Sequence, residues 1–398
     1  MDSQPAAPSS GQHSIAAASA PVHFIPGDDP VRPPQTGMGL CLSGGGYRAM
    51  LFHLGAIIRL NQAGILARLK RISSVSGGSI TAGVLGYKWK RLTFAGGIAT
   101  NFDSEVTAAL RQMADQTIDV SAVIRGIFLP GTISDKIEAA YDKVLFHGAT
   151  LQDLPSDTEG PRFVLNATNV QTGVLFRFSR RFMADWKVGL IPSPTVPLAK
   201  AVAASSAFPP ILSPCVLKVK PEDFDPKSKG PMFKEPFNSE IILSDGGVYD
   251  NMGIETVWKD YETVLVSDAG KDLPAEGQPR HDWICHTYRV LEIINNQVGS
   301  LRKRQIITAY KNPNDDHDGT YWGIRSHVKD YGLADPIIPP TEAQPANLVE
   351  LAQTPTRLAA LAPRYQERLI NWGYAICDTA IRAHVDRSIP KGSLPYPD

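Results

Sequence analysis

Twice in its first hundred residues the chain sets a short apolar run, a glycine cluster and a helix-patterned segment end to end. Residues 37–64 read GMGLCLSGGGYRAMLFHLGAIIRLNQAG. Leu40 to Leu42 predict a strand and Gly44-Gly45-Gly46 a tight turn. Leu51, Leu54, Ile57 and Ile58 predict a helix that ends at Gly64. The second unit starts at RISSVSGGS, residues 71–79. Ile72 and Val75 predict a buried strand, and Ile80, Val84, Leu85 and Tyr87 then recur at helical spacing. Strands alternating with helices, with reactive side chains at the strand ends, predict an α/β sheet whose site lies at its carboxyl edge.

The rest of the chain continues the alternation. Residues 101–146 read as mostly helical. RFVLNATNVQTGVLFRFS predicts two strands about a turn at Val170–Gly173, and PLAKAVAASSAFPPILSP a helix closed by Pro209 and Pro210. SEIILSDGGVYDN and YETVLVSDAG each predict a buried strand ending in Asp and Gly. Three regions are expected: a disordered Pro-, Ala- and Ser-rich tail over 1–36, a main domain over 37–275, and a mainly helical C-terminal region over 276–398 packed on it. In that last region Thr354-Pro355 predicts a helix start, and Leu369, Trp372, Ile376 and Ile381 share an apolar face. A Pro- and Lys-rich loop is expected as an insertion at 218–239. Its Phe224, Met232, Phe233 and Phe237 alternate with lysines, which suits a flap dipping into lipid; an ordinary loop whose aromatics pack on the domain is the competing reading.

Charge and cysteine content narrow the function classes. Of 398 residues, 40 are basic and 40 acidic, so nothing favours a nucleic-acid partner. Cys41, Cys215, Cys285 and Cys377 form no CxxC pair, which argues against a zinc site or a disulfide framework and fits a reducing compartment. The N-terminal tail lacks the basic and apolar regions of a signal peptide, and no run approaches the ~20 apolar residues of a membrane span. A soluble, cytoplasmic protein is expected, with peripheral contact at the inner membrane surface.

Ser76 stands at the junction of strand, turn and helix, where a strained turn pushes a nucleophilic oxygen out over a sheet. The pattern for such an elbow is G-x-S-x-G; here Ser74 replaces its first glycine. The Gly44–Gly46 turn can aim its N–H groups at one oxygen, as a phosphate nest or an oxyanion hole. A dinucleotide fingerprint fails at Ala49, and no Gly-Lys-Ser/Thr follows for a P-loop. Arg48 can hold a phosphate-bearing substrate or lock the loop. Asp245 and Asp268 each end a strand before glycine, and spacing does not choose between them as a base for serine.

Together, SGGGYRA, SSVSGGS, AVAASSAFPP and LSDGGVYDNMG resemble the patatin-like phospholipase family, over roughly residues 38–255, with later segments like its bacterial members. The resemblance implies a patatin-like three-layer α/β/α hydrolase fold and a Ser–Asp dyad, with Ser76 as nucleophile and Asp245 as base. It also implies oxyanion donors at Gly44, Gly45 and Gly46; Arg48 and Gly77 are candidate substrate contacts from their places beside the turn and the elbow. Phospholipid or another acyl ester is the implied substrate, with transient membrane contact, no cofactor and no metal. Ser74 and Ala49 depart from the family pattern, both as small residues that alter packing. Two rivals remain: a Ser-Asp-His hydrolase using His281 or His286, and a non-catalytic lipid-binding protein. Some bacterial members are nucleotide-activated antiphage effectors that degrade membranes, an alternative context with no nucleotide site in this sequence behind it. The basic run Arg302-Lys303-Arg304 reads first as a solvated helix face and second as a contact for anionic head groups.

Overall fold

Parallel strands build one half of a mixed sheet, and antiparallel hairpins build the other. The structure, a computed structural model, describes residues 33–118, 133–210, 212–271, 273–340 and 346–397. Its strands are β1 (Gln35–Leu42), β2 (Leu69–Val75), β3 (Phe94–Ala95), β4 (Ile98–Ala99), β5 (Arg162–Asn169), β6 (Val174–Phe178), β7 (Phe182–Asp185), β8 (Gly189–Pro192), β9 (Cys215–Lys218), β10 (Glu240–Asp245), β11 (Tyr261–Asp268) and β12 (Asp318–Gly323). Its helices are α1 (Gly46–Gln62), α2 (Gly77–Lys88), α3 (Ala108–Ala114), α4 (Ile133–Tyr141), α5 (Leu198–Ser205), α6 (Gly247–Asp250), α7 (Glu255–Trp258), α8 (Trp283–Lys311), α9 (Ala346–Gln353) and α10 (Pro363–His384). The main sheet runs β12-β11-β1-β2-β5-β6-β7-β8, parallel as far as β5 and antiparallel beyond it.

Alternation along the strands makes the layers. Leu40, Leu42 and Leu265 enter the large core with Leu51, Leu54 and Trp372, whereas Cys41, Val264 and Val266 face a smaller core with Val257 and Ile306. Helices thus flank both faces.

One register places the site. β2 runs parallel to β5 and leaves it at Val75, opposite Asn166. β10 runs antiparallel along the same edge of β5 and ends at Asp245, opposite Ala167. The two strand ends therefore meet head-on at adjacent residues of β5. Gly246 allows it: a methyl there would lie 2.3 Å from the Asn166 carbonyl oxygen.

Several expected boundaries shift. Gln35 and Thr36 already belong to β1, Pro33 and Pro34 lead into it, and 1–32 lie outside the described residues. Helices occupy most of the described parts of 101–146, and 119–132 lie outside the described residues. The C-terminal region is built into the domain. It supplies β12 to the sheet, and α10 crosses α1 so closely that a methyl on Gly55 or Gly373 would lie 1.9 Å from a carbonyl oxygen of the other helix. A buried ion pair, Arg59 to Asp378 at 2.7 Å, ties the same helices. Thr354-Pro355 starts no helix: the Thr354 hydroxyl donates to the Leu351 carbonyl at the end of α9, and the proline that opens a helix is Pro363. In the 218–239 insertion Phe224 is buried and packs on the Phe233 ring at 5.3 Å, with Met232 and Phe237 against the core. The packing loop is therefore what forms, because these aromatics bury more area against the domain than a free flap would.

Candidate active site

Ser76 follows β2 and caps α2 with φ 52° and ψ −121°, a left-handed-side conformation for a residue with a side chain. Such a backbone persists only where its surroundings over-determine it. Here the Ser205 hydroxyl does much of that. It accepts the Ser76 N–H at 3.0 Å, donates to the Asn166 carbonyl at 2.6 Å, and lies 2.9 Å from the Ser79 hydroxyl. Ser74, in the elbow's usual glycine position, fits because its hydroxyl is paired 2.9 Å from that of Ser79. Ser76 remains 7% exposed.

Asp245 is 2% exposed. Its Oδ1 accepts the Gly247 N–H at 2.7 Å, and its buried Oδ2 has no hydrogen-bond partner. Burial pushes the carboxyl up to about 7, against the opposing pull of the Gly247 N–H and of Ser76, which lies beside it without closing a hydrogen bond to Oδ2. The end of α5 holds this strand end as well: Asp245 N–H donates to the Ala207 carbonyl at 2.9 Å, and Gly246 N–H to that of Ser205 at 3.3 Å. Asp268, the other candidate, differs. It lies at the end of β11, two strands from β2 on the far side of β1. Both of its oxygens are taken, by Gly270 N–H at 2.8 Å and the Tyr321 hydroxyl at 2.6 Å.

The glycine turn stands against the elbow. A methyl on Gly44 would come within 3.1 Å of Ser76 Cβ, and one on Gly77 within 2.1 Å of the Gly46 carbonyl oxygen. Gly44 N–H is committed to the Asn251 carbonyl at 3.0 Å. Gly45 and Gly46 precede or open α1, and Gly77 opens α2, so their N–H groups have no acceptor within a helix. Two helix N-termini thus converge beside Ser76. Gly46, at φ 58°, also has the Arg357 carbonyl oxygen 2.7 Å from where a methyl would stand, so no other residue fits.

Arg48 is buried, and its guanidinium donates to the carbonyls of Ala269 at 3.0 Å and of Thr354. Burial draws its pKa down to about 10. This is the loop-locking arrangement; the side chain presents no surface to a substrate. His281 and His286 are exposed at the start of α8, and among the described residues no histidine hydrogen-bonds Ser76 or Asp245. His53 instead braces the glycine turn from behind. Its Nε2–H donates to the Ser43 carbonyl at 2.9 Å, so Nδ1 accepts from the Ser267 hydroxyl at 2.8 Å. Full burial holds it neutral, at about 4.

Reading the sequence alone left Ser205, Asn251 and His53 without roles. Ser205 carried a visible signal, a polar residue ending an alanine-rich helix. Asn251, whose side-chain oxygen sits close to both Gly44 and Gly247, and His53 carried none.

The patatin-like phospholipase family model matches residues 40–258, more than half the chain, and takes in the Gly44–Gly46 turn, Ser76 and Asp245. The chain belongs to the patatin-like phospholipase family. Among solved structures, human GIVD cytosolic phospholipase A2 shares the patatin-like fold at TM-score 0.50 and 13% identity, over 86% of this chain and 61% of that one. Its complex with methyl gamma-linolenyl fluorophosphonate matches at TM-score 0.50 and 16% identity, over 86% and 57%. The chain therefore spans about three fifths of the length of these relatives. No curated protein matched by sequence.

Proposed function

We propose that this patatin-like protein is a serine lipid acyl hydrolase of phospholipase A type, working through a Ser76–Asp245 dyad. The observation that carries the reading is the meeting of β2 and β10 on one edge of β5, which puts a strained serine beside a buried carboxylate with one oxygen unpaired. In the proposed cycle Asp245 Oδ2 takes the Ser76 proton, and Ser76 Oγ attacks the ester carbonyl. The N–H groups of Gly45, Gly46 and Gly77 receive the oxyanion; Gly44 serves by its lack of a side chain. The alcohol leaves with the proton, and water, deprotonated by the same carboxylate, releases the fatty acid. Each oxyanion donor is worth about 2.7–4 kcal/mol of barrier.

Burial supports Asp245 in this role. A carboxylate at its ordinary pKa is a weak base for a hydroxyl, and one raised to about 7 is better matched to neutral pH. The solved fluorophosphonate complex of the human relative makes the same reagent class the natural probe. A fluorophosphonate should label Ser76 alone. Ser76→Ala should abolish both labelling and fatty-acid release from phospholipid, measured by mass spectrometry, with the circular dichroism spectrum unchanged. Labelling at Ser73, Ser74 or Ser79 instead would defeat the assignment. A nucleotide-activated antiphage role draws on the resemblance alone, and no residue of this site bears on it.

A further inference from the structure

The polarity of α8 is inverted. Over its first five turns the side chains turned toward the protein are polar or small, namely Arg289, Glu292, Asn296, Gly299 and Ser300, all partly covered. Most of those turned outward are large and apolar: Trp283 is 79% exposed, Ile284 57%, Leu291 53% and Ile294 54%, with Val298 and Leu301 also exposed and Thr287 among them. At about 100° per residue the six apolar ones fall within an arc about 100° wide, opposite the inward five. Tyr288 and Val290, exposed as well, flank this arc and widen it to about 160°, with Asn295 inside it; Ile293, 44% exposed, stands apart at the border of the polar side. An ordinary surface helix does the reverse, burying its apolar stripe.

The root of this helix rests on the segment that follows the base. Gly299 faces Met252, and Arg302 reaches Asp250 at 3.7 Å and Glu255 at 3.2 Å. Asp250 ends α6, which starts two residues after Asp245 and exposes Val248. The apolar face therefore leaves the domain next to the catalytic strand end.

From this we infer that the outward face of α8 is the surface by which the protein lies on a lipid bilayer. The inference rests on the lipid-hydrolase reading. Three observations favour lipid over a second helix. A coiled-coil seam is a narrow stripe, and this arc is wider. The only Asp, Glu, Lys or Arg groups between Trp283 and Leu301, Arg289 and Glu292, pair with each other at 3.9 Å on the inward side, so the outward arc carries no fixed charge. Exposed Arg280 and Arg304 bracket the apolar stretch, where they can meet lipid phosphates. Among the described residues no helix is long and apolar enough to cross a membrane, so α8 lies on the surface with its apolar side dipped. Of the basic run, Arg302 and Lys303 are engaged within the protein, by the acidic pair above and by the Tyr321 ring at 4.4 Å, leaving Arg304 to solvent.

The test uses the full chain carrying Ser76→Ala, so that no lipid is consumed. Co-sedimentation with vesicles of phosphatidylethanolamine and phosphatidylglycerol in equal parts should pellet this protein. Adding Trp283→Gln, Leu291→Gln and Ile294→Gln should lower the partition coefficient at least about tenfold. With Ser76 restored, the triple variant should hydrolyse a soluble short-chain ester as the parent does and lose its activity on vesicles. Equal pelleting of parent and triple variant, or none by the parent, would overturn the inference. So would a dimer in analytical ultracentrifugation that the triple substitution dissociates without changing vesicle binding, since a second copy would then be the occupant. Failure of the parent on the soluble ester would sink the hydrolase reading instead, and the vesicle measurement stands apart from it.

Discussion

Val75 and Asp245 lie opposite consecutive residues of β5, Asn166 and Ala167, although their strands run in opposite directions. The residue after Val75 is Ser76, so the proposed nucleophile and the proposed base are brought together by one shared strand edge and not by a loop. A pair held this way has little freedom to drift, which is what a dyad without an intervening imidazole requires.

Asp245→Asn should lower turnover by about 10²–10⁴-fold, the usual contribution of a general base. In the parent, kcat/KM should rise with pH through about 7, as the raised carboxyl loses its proton. The stability effect has the opposite sense. Native Asp245 keeps a proton that the unfolded chain releases above about pH 4, so stability falls as pH rises from there to about 7. The change from 3.8 to about 7 corresponds to an order-of-magnitude cost of about 4 kcal/mol. Denaturant unfolding should therefore find Asp245→Asn more stable than the parent near pH 8, with the difference shrinking toward about pH 4.

Ser205→Ala should slow fluorophosphonate labelling and kcat while KM changes little. The substitution leaves the Ser76 N–H without its acceptor, a cost of about 1–3 kcal/mol, and frees the elbow to relax from φ 52°. Normal labelling in a folded Ser205→Ala protein would show that the elbow holds itself.

Arg48→Lys should destabilise the fold by about 1–3 kcal/mol, since an ammonium cannot span the Ala269 and Thr354 carbonyls that the guanidinium bridges. KM for phospholipid and for a soluble ester should be unaffected at temperatures where the variant is folded. A rise in KM for phospholipid alone would return Arg48 to the substrate.

Phe224→Ala should cost about 3–5 kcal/mol in denaturant unfolding, the range for a buried phenyl ring. Activity on vesicles and on a soluble ester should fall together, because the ring supports the domain. A loss confined to vesicles would restore the 218–239 loop as a lipid-touching flap.

His281→Ala and His286→Ala should keep parental turnover on both substrates, as both rings are exposed at the start of α8. A loss of several orders of magnitude in either folded variant would install a Ser-Asp-His triad in place of the dyad.

By itself the sequence determined the local pieces: the strand–turn–helix units, the serine at the elbow and the glycine turn. These are written in neighbouring residues, because a tight turn or an apolar period needs only short-range geometry. Tertiary structure decided what depends on distant partners. Asp245 and Asp268 look alike in their own neighbourhoods, and only strand pairing leaves one oxygen of Asp245 free while Tyr321 and Gly270 occupy Asp268. Arg48 could face ligand or backbone until the carbonyls of residues 269 and 354, over 200 and 300 positions away, closed on it. The same holds for α8. Periodicity marks its two faces, but which face meets the protein follows from where its root docks, on Met252, Asp250 and Glu255, and that docking turns the apolar side to the outside.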